Sequence, residues 1–248
     1  MRELNIAWMY PDLLSLHGDK GNIMALERIG RLLGLKVNVG KIETYGDIID
    51  FRNTDIMFFN PGEIKAIAPI IDALKKQKEA LDAYINANKM ILLIGTSGMI
   101  MAKKLGRNDG TVIEGLNYLD MECKEREYIY GDDIHFQTVD EPQQEIMGCQ
   151  IQMMDITLNS AAPVGKLLYG RGNKENNAAD EGARYKNVIF TNALGPMLVK
   201  NPWYCETLIK EAMRQKGVDI EESIDPQEYD FELRSLACIN EFIKKKPR

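Results

Sequence analysis

The apolar positions of this chain fall into short continuous runs separated by longer stretches in which they recur every three or four residues. That alternation predicts parallel strands joined by helices. Residues 4–8 read as the first strand. After a polar turn over 10–21, Ile23, Leu26, Ile29 and Leu33 trace one face of a helix that stops at Gly34, and residues 35–39 form the next strand. Residues 55–59 make a third strand, which Asn60-Pro61-Gly62 turns into a long helical region over 69–86. The most strand-like run is Met90-Ile91-Leu92-Leu93-Ile94, five apolar residues in succession, as a strand buried on both faces requires. A short helix is expected over 99–105. From 120 to 158 the texture changes to polar and apolar residues in alternation, as in Cys149-Gln150-Ile151-Gln152, which predicts antiparallel strands with one wet face. Residues 170–177 read as a surface loop, 188–190 as a further core strand, and 202–215 and 226–244 as helices. The fold class is therefore α/β, a mostly parallel sheet with an antiparallel β-region, and residues 1–248 are assigned to a single domain.

The turn after residues 90–94 is Ile94-Gly95-Thr96-Ser97-Gly98-Met99. A strand-to-helix elbow at the carboxyl end of a buried parallel strand is where many α/β enzymes carry a reactive Ser or Cys. Here its central residue, Gly95, has no side chain.

Composition narrows the function classes. The 248 residues carry a net charge of −6 with dispersed Lys and Arg, so there is no electrostatic footprint for nucleic acid. The one basic run, Lys244-Lys245-Lys246, suits the carboxyl end of a helix. Cys123, Cys149, Cys205 and Cys238 are widely spaced and form no CxxC pair, which argues against a zinc site and a disulfide framework. They are expected to be small buried or half-buried residues. No leader and no apolar run of membrane-spanning length is visible, so a cytoplasmic protein with no membrane partner is expected. No metal and no cofactor is expected, and the chain lacks GxxxxGK[ST]. Met99, Met101, Met153 and Met154 are read as core gap-fillers.

Three segments together resemble one family. Tyr10-Pro11-Asp12-Leu13-Leu14-Ser15-Leu16-His17-Gly18-Asp19-Lys20-Gly21-Asn22 directly follows the first strand. Gly165-Lys166, Gly170-Arg171-Gly172-Asn173 and Asp180-Glu181-Gly182-Ala183-Arg184-Tyr185-Lys186-Asn187 follow in order, and Thr191-Asn192-Ala193-Leu194-Gly195-Pro196-Met197-Leu198-Val199-Lys200-Asn201-Pro202 closes the series. The chain resembles the class I glutamine amidotransferases of the cobyric acid synthase type, and among them the glutaminase subunits of lipid II isoglutaminyl synthase. The resemblance implies a three-layer, flavodoxin-like fold. It also implies a Mur-ligase-like partner subunit that activates a cell-wall precursor carboxylate with ATP.

In that family a cysteine thiolate attacks the glutamine amide, a histidine manages protons and backbone N–H groups hold the oxyanion. Ungapped matching puts the family's cysteine at Gly95 and its histidine at Leu194, and the glycine-rich oxyanion turn reads Asn60-Pro61-Gly62-Glu63. Proline at 61 removes one N–H donor. Gln152 and Asp155 stand where the glutamine pocket is expected. The expected function is thus a glutaminase-like protein without the Cys nucleophile, acting as a non-catalytic or regulatory subunit of an amidation complex. Two other readings stand beside it. One is a small-molecule binding module using an emptied pocket between Gly62, Gly95 and Leu194. The other is a hydrolase built on Ser97, with Thr96 beside it and His17 as base. Against that, the preferred reading of Ser97 is a hydroxyl capping the next helix. His135 is expected at the surface, and Asp19 is expected either as an N-cap or as part of an anion-binding helix start.

Overall fold

The computed structural model describes residues 2–18, 20–140, 143–174 and 179–245. Its first sheet is built from β1 (Glu3–Met9), β2 (Lys36–Ile42), β3 (Ile56–Phe59), β4 (Met90–Ile94), β11 (Ala183–Tyr185) and β12 (Val188–Thr191), in the order β11-β12-β4-β3-β1-β2. All neighbours are parallel except the edge strand β11, which pairs antiparallel with β12. Every residue of β3, β4 and β12 is buried, which is why these strands read as unbroken apolar runs.

Strand alternation divides the core in two. Leu4, Ile6, Ile56, Phe58, Met90, Leu92, Ile94 and Ile189 face α1 (Gly21–Leu32), α4 (Met197–Lys200) and α5 (Pro202–Gln215). Met57, Phe59, Ile91 and Leu93 face α2 (Ile67–Lys75) and α3 (Lys78–Asn86). That second face also packs against the other sheet, whose strands are β5 (Lys104–Gly106), β6 (Val112–Glu114), β7 (Met121–Thr138), β8 (Glu145–Leu158), β9 (Gly165–Tyr169) and β10 (Asp180–Glu181). Leu105, Met121, Cys123, Met154 and Ile156 share one apolar cluster with β3 and β4. The long hairpin β7–β8 is antiparallel with a register shift between Glu125 and Tyr130.

Several boundaries differ from expectation for local reasons. The helical region over 69–86 is two helices, interrupted at Gln77, whose ψ of 24° leaves helical geometry. The helix expected over 99–105 is a 3-10 turn, Gly95–Ile100, followed by β5, because Met101, Leu119 and Met121 lock the chain into the second sheet through backbone bonds. The last helix is a 3-10 turn, Pro226–Tyr229, and then α6 (Asp230–Lys245), none of whose residues is buried. Asp19 and part of the 170–177 loop lie outside the described residues. Cys238 is exposed, whereas Cys123 and Cys205 are buried and Cys149 is intermediate. Met99, Met101 and Met154 are core residues, while Met153 packs against the core only partly buried. No described helix is long and apolar enough to cross a membrane.

The elbow helix is pressed against β12, so that a Cβ on Gly98 would clash with the Phe190 ring, at its Cε2 and closer still at Cδ2. Gly98→Ala should therefore cost about 1–3 kcal/mol through overpacking. Urea unfolding at unchanged m-value checks this.

Candidate functional site: a filled elbow at the end of strand four

Gly95 bends the chain at the carboxyl end of β4 with φ at +58°, a conformation that L side chains rarely adopt. The elbow is thus present as expected, and its central residue is one that adopts it without strain. A Cβ added there would lie 3.0 Å from Leu194 Cδ2 and 3.2 Å from Pro61 Cβ. Pro61 and Leu194 are themselves buried. The structure therefore brings Gly95, Leu194 and the Pro61-Gly62 turn together, as the sequence matching expects, but the space between them holds hydrocarbon. Gly62 is equally confined, since a Cβ on it would meet the Leu13 carbonyl oxygen at 2.8 Å and the Leu14 side chain still closer.

The turn after β3 offers few free backbone donors. Pro61 has no N–H, and the Gly62 N–H donates to Thr96 Oγ1 at 2.8 Å, while the Thr96 hydroxyl donates to the Gly62 carbonyl at 2.6 Å. Thr96 is thus a clasp between the elbow and the turn after β3. Ser97 is fully buried. Its Oγ accepts from the Ile94 N–H at 2.9 Å and lies 2.9 Å from the Ile94 carbonyl and 3.2 Å from that of Phe59. The hydroxyl is occupied by backbone groups at the base of the elbow. The loop carrying His17 does border the elbow, because the Leu16 N–H donates to the Pro61 carbonyl at 3.1 Å, but His17 itself is exposed. His135 is not the surface residue expected. It is buried on β7, 3.1 Å from Glu145, and burial lowers its pKa.

Leu194 is held in place by a short antiparallel bridge to Cys149 on β8, with N–H to carbonyl distances of 2.8 and 3.1 Å. Below it lies a buried polar network. Glu181 accepts from Thr191 Oγ1 at 2.6 Å, from the Asn192 N–H at 2.7 Å and from Asn192 Nδ2 at 2.9 Å. Asn173 Oδ1 accepts from Asn192 Nδ2 at 3.0 Å and from the Gly182 N–H at 2.9 Å. Asn201, fully buried, donates to the Met147 and Met197 carbonyls and accepts from the Met147 N–H. Sequence reading gave none of Glu181, Asn173 and Asn201 a role, although all three lie in the quoted motif segments. Gln152 reaches the Asn173 carbonyl at 3.2 Å, and Asp155 pairs with Arg126. Among the described residues, no group of three His, Cys, Asp or Glu is placed to hold a metal ion.

Complete burial raises the Glu181 pKa above the ordinary value of 4.5, against the opposing pull of its donors. The folded state therefore binds the Glu181 proton more tightly than the unfolded state, and this contribution to stability is lost as pH rises from about 4.5 through the folded value. Glu181→Gln lacks the titration, so the stability of the wild type relative to the variant should decline across that window. Paired thermal melts between pH 4 and 7 check the sign.

No protein-family model matches the chain. It is 32% identical over 233 residues to the lipid II isoglutaminyl synthase (glutamine-hydrolyzing) subunit GatD of Staphylococcus aureus, covering 94% of this chain and 92% of that protein. To the same subunit of Streptococcus pneumoniae it is 30% identical over 223 residues, covering 88% and 84%. Among solved structures, PurLQS from Thermotoga maritima superposes with a TM-score of 0.56 at 10% identity, covering 87% of this chain and 97% of that one. A glutamine amidotransferase superposes at 0.54 with 12% identity, covering 86% and 99%. These two likenesses establish a glutamine amidotransferase-type fold. With identity of this extent over nearly the full length of both relatives, the chain belongs to the family of lipid II isoglutaminyl synthase GatD subunits.

Proposed function

We propose that this chain is a non-catalytic subunit of a cell-wall precursor amidation complex, built on the glutaminase fold of its relatives but unable to release ammonia from glutamine. The observation that carries this reading is Gly95, which occupies the left-handed position of the elbow where a cysteine would have to stand. Three further features support it. Leu194 offers no proton transfer, Pro61 offers no oxyanion donor, and the Gly62 N–H is engaged by Thr96. Loss of a nucleophile alone costs about a million-fold in rate in comparable hydrolases.

The relatives named above are glutamine-hydrolyzing subunits of an amidating synthase, and the family resemblance implies a Mur-ligase-like partner. On this reading the chain keeps the fold and the docking surface, and scaffolds or regulates that partner. Gly95, Leu194 and Gly62 are then degenerate active-site positions. The alternative of a binding module in an emptied pocket is disfavoured, because Leu194 and Pro61 fill the space above Gly95.

The purified chain should release no ammonia from glutamine above the uncatalysed background, and a stoichiometric ligase-like protein should co-purify with it from its native cell. Gly95→Cys alone should not restore activity and should destabilise the fold, since the new side chain meets Leu194 and Pro61 in a strained backbone. Measurable glutaminase activity of the unaltered chain would overturn the reading.

A further inference from the structure

A cleft of about 260 Å³ opens at the amino-terminal end of β4 and β12, the end of the main sheet opposite the elbow. Its floor is apolar, made by Met90 at the start of β4, Ile189 on β12 and Leu208 on α5. All three are buried members of the core cluster on the α5 face. Four steps of extended strand separate Met90 from Ile94, so the cleft lies about 13 Å from the elbow.

The walls over this floor carry hydrogen-bond donors that the fold leaves unspent. Tyr204 on α5 is 5% exposed, lines the cleft, and makes no side-chain hydrogen bond among the described residues. Burial pushes its phenol up to about 12, so the hydroxyl keeps its proton at neutral pH, and Arg184 is the nearby cation that acts on it. Thr138, at the end of β7 and 3% exposed, accepts the Gln144 N–H at 2.8 Å through Oγ1 and has its own O–H uncommitted. Arg184, on β11, donates to the Lys186 carbonyl at 2.7 Å and to Asn187 Oδ1 at 3.0 Å and pairs with Asp140, which leaves N–H bonds of its fork to spare. The carboxylates of the lining are occupied. Glu211 accepts from Asn187, from Gln215 and twice from Arg214, and Asp140 is engaged by Arg184.

We infer that this cleft binds a small monocarboxylate. Its oxygens accept from the Tyr204 and Thr138 hydroxyls and from the uncommitted N–H bonds of Arg184, and its apolar body lies on Met90, Ile189 and Leu208. Charge sets the class. Arg184 and Arg214 are each matched by a carboxylate, so the lining is balanced, and a dianion would bring more charge than the spare donors can offset beside Asp140 and Glu211. A neutral ligand forgoes the charge-assisted hydrogen bonds, which are about twice as strong as neutral ones. Gly95, Leu194 and Gly62 take no part, so the site does not depend on whether the chain hydrolyses glutamine.

Calorimetric titration of the full chain with benzoate tests this, with benzamide as the neutral isostere and sulfate as the dianion. One saturable benzoate site is expected, with benzamide and sulfate weaker by about ten-fold or more. Tyr204→Phe removes only an unpaired hydroxyl, so the melting temperature of the free chain should hold or rise while benzoate binds about ten-fold more weakly. Arg184→Lys keeps the charge and loses the planar fork, and it should weaken benzoate as well. Absence of saturation, equal affinity for benzamide or sulfate, or unaltered benzoate binding by Tyr204→Phe would each overturn the assignment. Glutaminase activity, the outcome that would sink the reading of the elbow, leaves this result untouched.

Discussion

The left-handed bend at Gly95 constrains everything around it. A parallel strand that must turn sharply at its carboxyl end leaves one residue at positive φ, and for any residue with a Cβ that position stores strain. In an enzyme the strain is tolerated because it presents a nucleophile. Here glycine removes the strain, and the volume above it is closed by Leu194 from the turn after β12 and Pro61 from the turn after β3. The bend then works as a packing device, drawing three strand ends together around one point. Thr96, clasping both backbone groups of Gly62, holds that arrangement on the side of β3.

The polar network beneath Leu194 would be hard to explain as surface chemistry, since Glu181 and Asn201 are fully buried and Asn173 and Asn192 nearly so. Its members bind backbone groups at 147, 182, 192 and 197. They order the irregular chain between β12 and α4 and the junction of α4 with α5, which would otherwise leave amides unpaired. That segment also carries Leu194 and the Cys149 bridge. In this chain that segment is thus held by buried carboxylate and carboxamide groups that do not enter the elbow.

Much of this was legible in the sequence because burial on both faces leaves an unmistakable signature. Residues 90–94 and 202–215 were placed to the residue, since one is an unbroken apolar run and the other opens with proline and repeats at helical spacing. The elbow was legible for the same reason. What escaped was determined at long range. Residues 104–106 join the second sheet through partners at 112–114 and 122–124, and no local pattern records such pairing. His135 sits on an alternating strand, but the face it occupies is decided by β8 and β9. Leu194 could be matched by alignment. That its side chain, with Pro61, fills the space over Gly95 could not, because it depends on the bridge to Cys149.

The carboxyl edge of the main sheet therefore has two neighbouring environments of opposite character. Over β4 the polar groups are consumed: Thr96, Ser97 and Gly62 bond one another or the backbone, and the remaining space is hydrocarbon. Over β1 and β3, one strand away, Asn60 and Trp8 retain donors and an acceptor that nothing described satisfies. Folding alone gives no return for leaving such groups buried, since leucine and phenylalanine would fill comparable space without a desolvation penalty. Gln152 Oε1 on β8 is left in the same state, so among the described residues unpaired buried polarity lies both at the ends of β1 and β3 and on the second sheet.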